Sequence, residues 1–244
     1  MRESTWRYVN AAGNKFLSPP RRCFGHYLNH GDRTERRLAL TFDDGPSVPS
    51  TPLLLDVLDR LDVRATFFCV GEMVAHHPNV VQRAFDEGHV IGNHSMSHHR
   101  RPALTPFDAR HVDDADDAIY DAIGVLPALY RPPWGWLTPW AARRAQRRGL
   151  HCVGWDVYPD DWMVPETPAE VTAEQVRCGV RNGSIVLMHD GRAVYVDCDK
   201  TQTAAAVERF VPRLRDAGFE FVTVPELLGV EAYRTSALVL ARAG

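Results

Sequence analysis

The sequence carries its reactive side chains in short clusters, each placed directly after an apolar run. Asp43-Asp44-Gly45-Pro46 follows Leu38–Phe42. Adjacent side chains of a strand point to opposite faces, so both carboxylates enter one site only where strand gives way to loop. Gly45-Pro46 marks such a change, although Asp-Gly also serves a turn or a helix cap. After the run His89–Gly92 comes Asn93-His94-Ser95-Met96-Ser97-His98-His99. His94 and His98 stand at i, i+4, which predicts both imidazoles on one side of a helical turn, with His99 facing elsewhere. Two neutral imidazoles and one carboxylate make a three-ligand set of the kind that leaves a zinc ion open to water and substrate. Arg131-Pro132-Pro133-Trp134 follows Ala128–Tyr130. Its two prolines fix an extended loop, able to hold the Arg131 guanidinium against a buried carboxylate and the Trp134 N–H toward a substrate oxygen. A run ending at Trp155 leads to Asp160-Asp161-Trp162, and another ends Leu187-Met188-His189-Asp190.

The elements that must position these groups are short. The apolar runs are Leu38–Phe42, Ala65–Val70, His89–Gly92, Ala128–Tyr130, His151–Trp155, Ser184–Met188 and Phe219–Val224. Continuous apolar runs of this length suit strands buried on both faces of a parallel sheet. Between them lie helix candidates. Thr51-Pro52, Thr105-Pro106, Thr138-Pro139 and Thr167-Pro168 each offer an N-cap and a first-turn proline. Further helices are predicted over Glu72–Glu87 and Thr201–Ala217, and Gly88, Gly124, Gly149, Gly183 and Gly218 supply the stops. Seven such units predict a closed or nearly closed barrel, whose chemistry belongs at the C-terminal ends of the strands. No G-x-G-x-x-G or Walker pattern follows the first strand, which argues against a nucleotide fold.

Composition narrows the function classes. The 244 residues are 45% hydrophobic and 24% charged, with a net charge of −3. Disordered, collagenous and coiled-coil classes are excluded. A general nucleic-acid or anionic-membrane binder would need a basic surplus. Arg143, Arg144, Arg147 and Arg148 recur at helical spacing and read as a solvated face. The five cysteines form no C-x-x-C pair, so neither a disulfide framework nor a cysteine zinc site is expected. The first 22 residues hold no apolar run of signal-peptide type, and no stretch approaches a membrane span. The expected compartment is the cytoplasm. Residues 1–37, with Trp6, Tyr8, Phe16, Phe24 and Tyr27, read as an aromatic arm, residues 38–229 as the catalytic domain, and residues 230–244 as a tail without a readable role.

Thr41-Phe42-Asp43-Asp44-Gly45, His94-Ser95-x-x-His98, Arg131-Pro132-Pro133-Trp134, Asp161-Trp162 and Leu187-x-His189 resemble, in order and spacing, the five motifs of the polysaccharide deacetylases. These are the proteins with a NodB homology domain, carbohydrate esterase family four, and the likeness runs from about Leu38 to Gly229. The resemblance implies an α/β fold, a distorted (β/α)7 barrel. It implies that Asp44, His94 and His98 hold one divalent metal ion, zinc, with cobalt or nickel as alternatives. Asp43 would be the general base toward a metal-bound water, held by Arg131. The Trp134 N–H would stabilise the oxyanion. His189 would be the general acid, oriented by Asp161, and Leu187 and Trp162 would wall an acetyl slot. The implied reaction removes an N-acetyl group from an amino sugar. A short chito-oligosaccharide or an N-acetylglucosamine-bearing biosynthetic intermediate is the expected substrate, with no nucleic-acid or membrane partner. An O-acetyl esterase and an inactive sugar-binding protein on the same scaffold are the alternatives. Two positions depart from the family pattern. Trp134 stands where tyrosine is usual, and Tyr158 where an aspartate is usual, with Asp156 and Asp160 as neighbours that could compensate. Trp136, Trp140 and Trp162 either stack on sugar rings at the mouth or fill core.

Overall fold

The structure, a computed structural model, describes residues 27–99, 110–163, 166–193 and 195–234. β1 (Arg37–Asp43) is buried from Leu38 to Phe42 without alternation, as a strand covered on both faces must be. Around it stand β2 (Thr66–Cys69), β3 (Val90–Asn93), β4 (Leu129–Tyr130), β5 (His151–Cys152), β6 (Ser184–His189) and β7 (Glu220–Val222). All ladders are parallel, in the order β5-β4-β3-β2-β1-β6. One flank of β1 is shared, with β7 pairing Arg37–Ala39 and β2 pairing Thr41–Asp43. Each of the seven predicted strands is present, and the fold is the expected α/β type.

The curved sheet has a seam. Among the described residues no ladder joins β5 to β6. Leu28 bridges Val153 and His30 bridges Ser184, with Gly31 N–H donating to Gly183 O at 2.8 Å. Residues 28–31 therefore stand in the gap like an extra half-strand. The aromatic arm read over 1–37 lies mostly outside the described residues, with only its last part, from Tyr27, on view.

The helices are α1 (Ser50–Arg60), α2 (Gly71–His76), α3 (Pro78–Asp86), α4 (His111–Ile123), α5 (Pro139–Arg147), α6 (Ala169–Gly179), α7 (Thr201–Asp216) and α8 (Val224–Leu228). Leu54, Leu55 and Leu58 of α1 and Phe210 of α7 pack on Phe42 and Phe67 of the sheet. Burying each such side chain stabilises the fold by roughly 1.5–3 kcal/mol. Several expectations are corrected. The helix predicted over Glu72–Glu87 is two, because Pro78 forces His77 out of helical geometry (φ −130°, ψ 52°). Thr51 does not cap α1, whose N-cap is Pro49. Its hydroxyl donates instead to Asp190 Oδ2 at 2.6 Å. α6 stops at Gly179, ahead of the expected Asn182-Gly183. The start predicted at Thr105-Pro106 falls outside the described residues. The arginine face is only half solvated, since Arg144 and Arg148 both bind Asp113 of α4. No helix among the described residues is long and apolar enough to cross a membrane.

Candidate active site

The carboxylate pair sits at the end of β1. Asp43 is the last strand residue, and Asp44 adopts a left-handed φ of 79°. That turn lets both adjacent side chains line one cavity. Gly45 permits it, because a Cβ there would overlap the Asp190 carboxylate.

The histidines reach the same cavity by a different route from the predicted one. His94–His98 is not a helical turn. Ser95 (φ 68°) and His98 (φ 51°) are left-handed, so the segment is an irregular loop. Backbone bonds pin it, with Gly71 N–H donating to Ser95 O and Glu72 N–H to Met96 O. The result still brings the two imidazoles together, with ring centroids 4.9 Å apart. His94 Nε2 lies 3.5 Å and His98 Nε2 3.3 Å from Asp44 Oδ1. His94 Nδ1 donates to Arg131 O at 2.7 Å. A carbonyl only accepts, so Nδ1 carries a proton, and Nε2 is left as the nitrogen turned toward Asp44 and the cavity. Burial holds the His98 pKa down at about 4, against the pull of Asp44, so this ring is neutral at pH 7. Burial alone would raise the Asp44 carboxyl, but the imidazoles of His98, His94 and His189 hold it below its ordinary range. Asp44 Oδ1 is buried and lacks a hydrogen-bond partner. An orphaned anionic oxygen flanked by two imidazole nitrogens fits a divalent cation. Asp44, His94 and His98 each bring one ligand atom within 4.8 Å of the others. His99 is exposed.

Asp43 is anchored by Arg131, the largest fully buried side chain among the described residues. Arg131 Nη1 donates to Asp43 Oδ1 at 2.7 Å and to Thr41 Oγ1 at 2.8 Å. Its Nη2 and Nε satisfy Gly154 O at 2.9 Å and Val153 O at 3.3 Å, and its Cζ lies 4.1 Å from the Phe68 ring centroid. One side chain thus ties the ends of β1, β4 and β5 together.

His189 ends β6, with Nδ1 2.9 Å from Asp161 Oδ1. Its own backbone N–H donates to Asp161 Oδ2 at 2.7 Å. Burial opposes the imidazolium, but Asp161, with Asp44 and Asp43 behind it, raises its pKa to about 9. Two residues unread in the sequence hold Asp161 in turn. Thr203 Oγ1 donates to Oδ2 at 3.2 Å, and the buried Lys200 Nζ donates to the Asp161 carbonyl at 2.7 Å. A signal for Lys200 existed, since it is one of only two lysines in the chain.

The cavity has a volume of about 330 Å³, with Asp43, Asp44, His94 and His98 on one side and His189 and the buried Leu187 lining it too. Trp162 stacks on Tyr158, ring planes 4° apart and centroids 6.4 Å apart. Tyr158 lines the cavity where the family has aspartate. Neither neighbour replaces that aspartate. Asp156 binds Arg33 and the Ile185 N–H, and Asp160 binds Gln175. Trp134 lies in the turn Pro133–Gly135 with φ 61°, its indole N–H donating to His98 O at 3.3 Å. Trp134 and Trp162 are 42% exposed at the cavity, and Trp136 and Trp140 are 37% and 39% exposed outside its lining, so none is core.

Comparisons with known proteins agree with this arrangement. A family model described as polysaccharide deacetylase matches residues 30–153. A peptidoglycan-N-acetylglucosamine deacetylase of Listeria monocytogenes is 38% identical over 201 residues, which cover 81% of this chain and 40% of that protein. The chain thus spans less than half of that relative. A chitooligosaccharide deacetylase of Bradyrhizobium is 37% identical over 211 residues, covering 82% of this chain and 94% of the relative. A crystallised peptidoglycan N-acetylglucosamine deacetylase, in complex with an N-oxidanyl-benzamide, superposes with a TM-score of 0.79 at 30% identity, over 85% of this chain and 95% of that one. On the matched model, the shared fold and these two full-length likenesses, the chain belongs to the polysaccharide deacetylase family.

Proposed function

We propose that the protein hydrolyses the acetamide of an N-acetylglucosamine-containing sugar, a short chito-oligosaccharide or an N-acetylglucosamine-bearing intermediate, in a metal-dependent reaction. The observation that carries this reading is the partnerless Asp44 oxygen between two imidazole nitrogens, in one cavity with Asp43 and His189. A divalent cation held by Asp44, His94 and His98, zinc with cobalt or nickel as alternatives, would acidify a water molecule toward a pKa of roughly 7 and polarise the acetyl carbonyl. The compound in the relative's crystal structure is an N-hydroxy amide, a class that chelates divalent cations, and this supports the metal reading.

The chain's own residues do the rest. Asp43, its Oδ1 occupied by Arg131, keeps Oδ2 for the proton of the attacking water. Arg131 fixes the carboxylate's orientation through that bond. The Trp134 main-chain N–H donates to the acetyl oxygen as it gains charge, an effect of roughly 3–4 kcal/mol for a preorganised donor. His189, with Asp161 on Nδ1, presents Nε2 as the acid for the departing amine. An amine leaves only once protonated, and the raised pKa keeps that proton in place at neutral pH. Leu187 and Trp162 enclose the acetyl methyl, and the part-exposed Trp134 and Trp162 rings offer flat apolar faces to a sugar.

The test is an acetate-release screen with zinc, cobalt or nickel added to metal-free protein. N-acetylglucosamine, its oligomers, a peptidoglycan fragment and an acetylxylan are the substrates. Release from an N-acetylated oligomer supports the proposal. Release from acetylxylan alone reassigns the protein as an O-acetyl esterase, and no release with any metal refutes the enzymatic reading.

A further inference from the structure

We propose that Thr51, in the first turn of α1, is a positioning residue for the turn that carries Asp44, acting through Asp190. The inference rests on the reading that Asp44, with His94 and His98, holds a divalent cation. β1 ends at Asp43, so the turn at Asp44 takes its shape from what stands behind it. Asp190 and Gly191, which follow β6, stand there. The Asp190 N–H donates to Asp43 O at 3.2 Å. The Asp190 carboxyl rests on Gly45, where an added Cβ would lie 2.1 Å from Oδ2. Gly191 backs Asp44 as closely, since a Cβ on it would lie 2.8 Å from the Asp44 carbonyl oxygen. Thr51 and Asp190 are both 2% exposed.

One hydroxyl sets the orientation of that carboxyl. The Ser47 N–H donates to Thr51 Oγ1 at 2.9 Å, and the Thr51 N–H donates back to Ser47 O at 2.8 Å. An N–H only donates, so the Thr51 hydroxyl proton is left for Asp190 Oδ2, 2.6 Å away. The hydroxyl therefore joins the loop after β1 to the end of β6. Oδ2 accepts this bond whether the group is a carboxylate or an acid with its proton on Oδ1. Asp190 Oδ1 is buried without a hydrogen-bond partner, so Thr51 supplies the side-chain bond that fixes the carboxyl's rotation. Valine at position 51 keeps the shape and removes the bridge. It strands the Ser47 N–H and Asp190 Oδ2 in the interior, and buried polar groups without partners turn toward new ones or toward water. A turning Asp190 carboxyl meets Gly45 with no space between them, and so displaces the backbone next to Asp44.

The experiment is cobalt titration of the metal-free full chain, followed by visible absorption and by competition with a chelator. Removing a group that orients metal ligands from outside costs typically about 10–100-fold in affinity, so Thr51→Val should weaken cobalt binding about tenfold and alter the absorption band. Thr51→Ser, which restores the hydroxyl, should recover most of both. Ser50→Ala is the control. The Ser50 hydroxyl is equally buried and belongs to the same turn of α1, but it bonds Cys198 O and the Lys200 N–H, both at 2.6 Å, and not the Asp44 turn. That variant should lower Tm yet keep the affinity within about twofold. Wild-type affinity and spectrum in Thr51→Val overturn the inference, and so does an equal loss in Ser50→Ala. If Thr51→Val fails to fold, Asp190→Ala carries the same expectation, and unchanged affinity there overturns it equally. Absence of cobalt binding by the wild type overturns the metal reading and this inference with it, whereas the other failures leave the metal site standing.

Discussion

Arg131→Met tests the centre of the site most severely. Methionine nearly fills the volume of the side chain but removes a buried cation with four acceptors: Asp43, Thr41, Gly154 and Val153. Asp43 is 3% exposed and is left as a buried charge without its cation. Breaking one side of a buried pair costs about 3–5 kcal/mol. The two stranded carbonyls add to this, so about 5 kcal/mol is expected, a fall in Tm of roughly 10–20 °C. Urea unfolding with a chelator present measures it, since a bound cation would add its own stabilisation. The cycle with Asp43→Asn decides the cause. The double variant holds no unpaired charge, so it should be at least about 1 kcal/mol more stable than the sum of the singles predicts. Additivity within about 0.5 kcal/mol would refute the claim that Arg131 acts on Asp43 rather than as plain packing.

His98→Ala should abolish stoichiometric metal binding and acetate release, whereas the exposed His99→Ala should retain both; equal loss in metal analysis of the two contradicts the ligand set. Asp43→Asn should keep the metal while kcat falls by roughly 10²–10⁴-fold, and a normal kcat would sink its assignment as base. Turnover should fall as pH rises through about 9, where His189 loses its proton, and Asp161→Asn should move that limb to lower pH. The sign for stability is the same: the pair's contribution is complete below the ordinary histidine pKa of about 6.5 and is lost as pH rises through the folded value. An unmoved limb in kcat profiles of Asp161→Asn would separate Asp161 from the acid.

The parts that were legible share a physical cause. Asp43, Asp44, His94, Arg131 and His189 stand where an apolar run stops, and the interruption is visible in one dimension. Seven strands could be found because burial on both faces removes alternation, leaving runs such as Leu38–Phe42 unmistakable. Other groups act only through distant partners. Thr41 lies inside an apolar run and Thr203 inside a helix, and nothing local says that they meet Arg131 and Asp161. In the sequence Asp190 shows only as the neighbour of His189, yet its carboxylate binds Thr51 and leaves Gly45 no room for a side chain. The i, i+4 spacing of His94 and His98 was informative for a reason that proved incidental. Two left-handed residues, not a helix, bring the rings together. Residues 28–31 are not legible because a four-residue insert shows no period, and the break at Pro78 is masked by the helical pattern on either side of it.

Among the described residues, five other than glycine are left-handed, and Asp44, Ser95, His98 and Trp134 are four of them. Each such conformation costs about 1–3 kcal/mol. Among the described residues the cavity's rim is therefore the least relaxed part, kept in shape by the sheet beneath it. A search for thermostable variants would be drawn to these positions first, because glycine at Ser95 or Trp134 removes the steric penalty. The same changes would free the loops that aim the imidazoles and the Trp134 N–H. Hardening this protein without dulling it means working far from the mouth, on helix surfaces and the seam, and leaving its four awkward residues awkward.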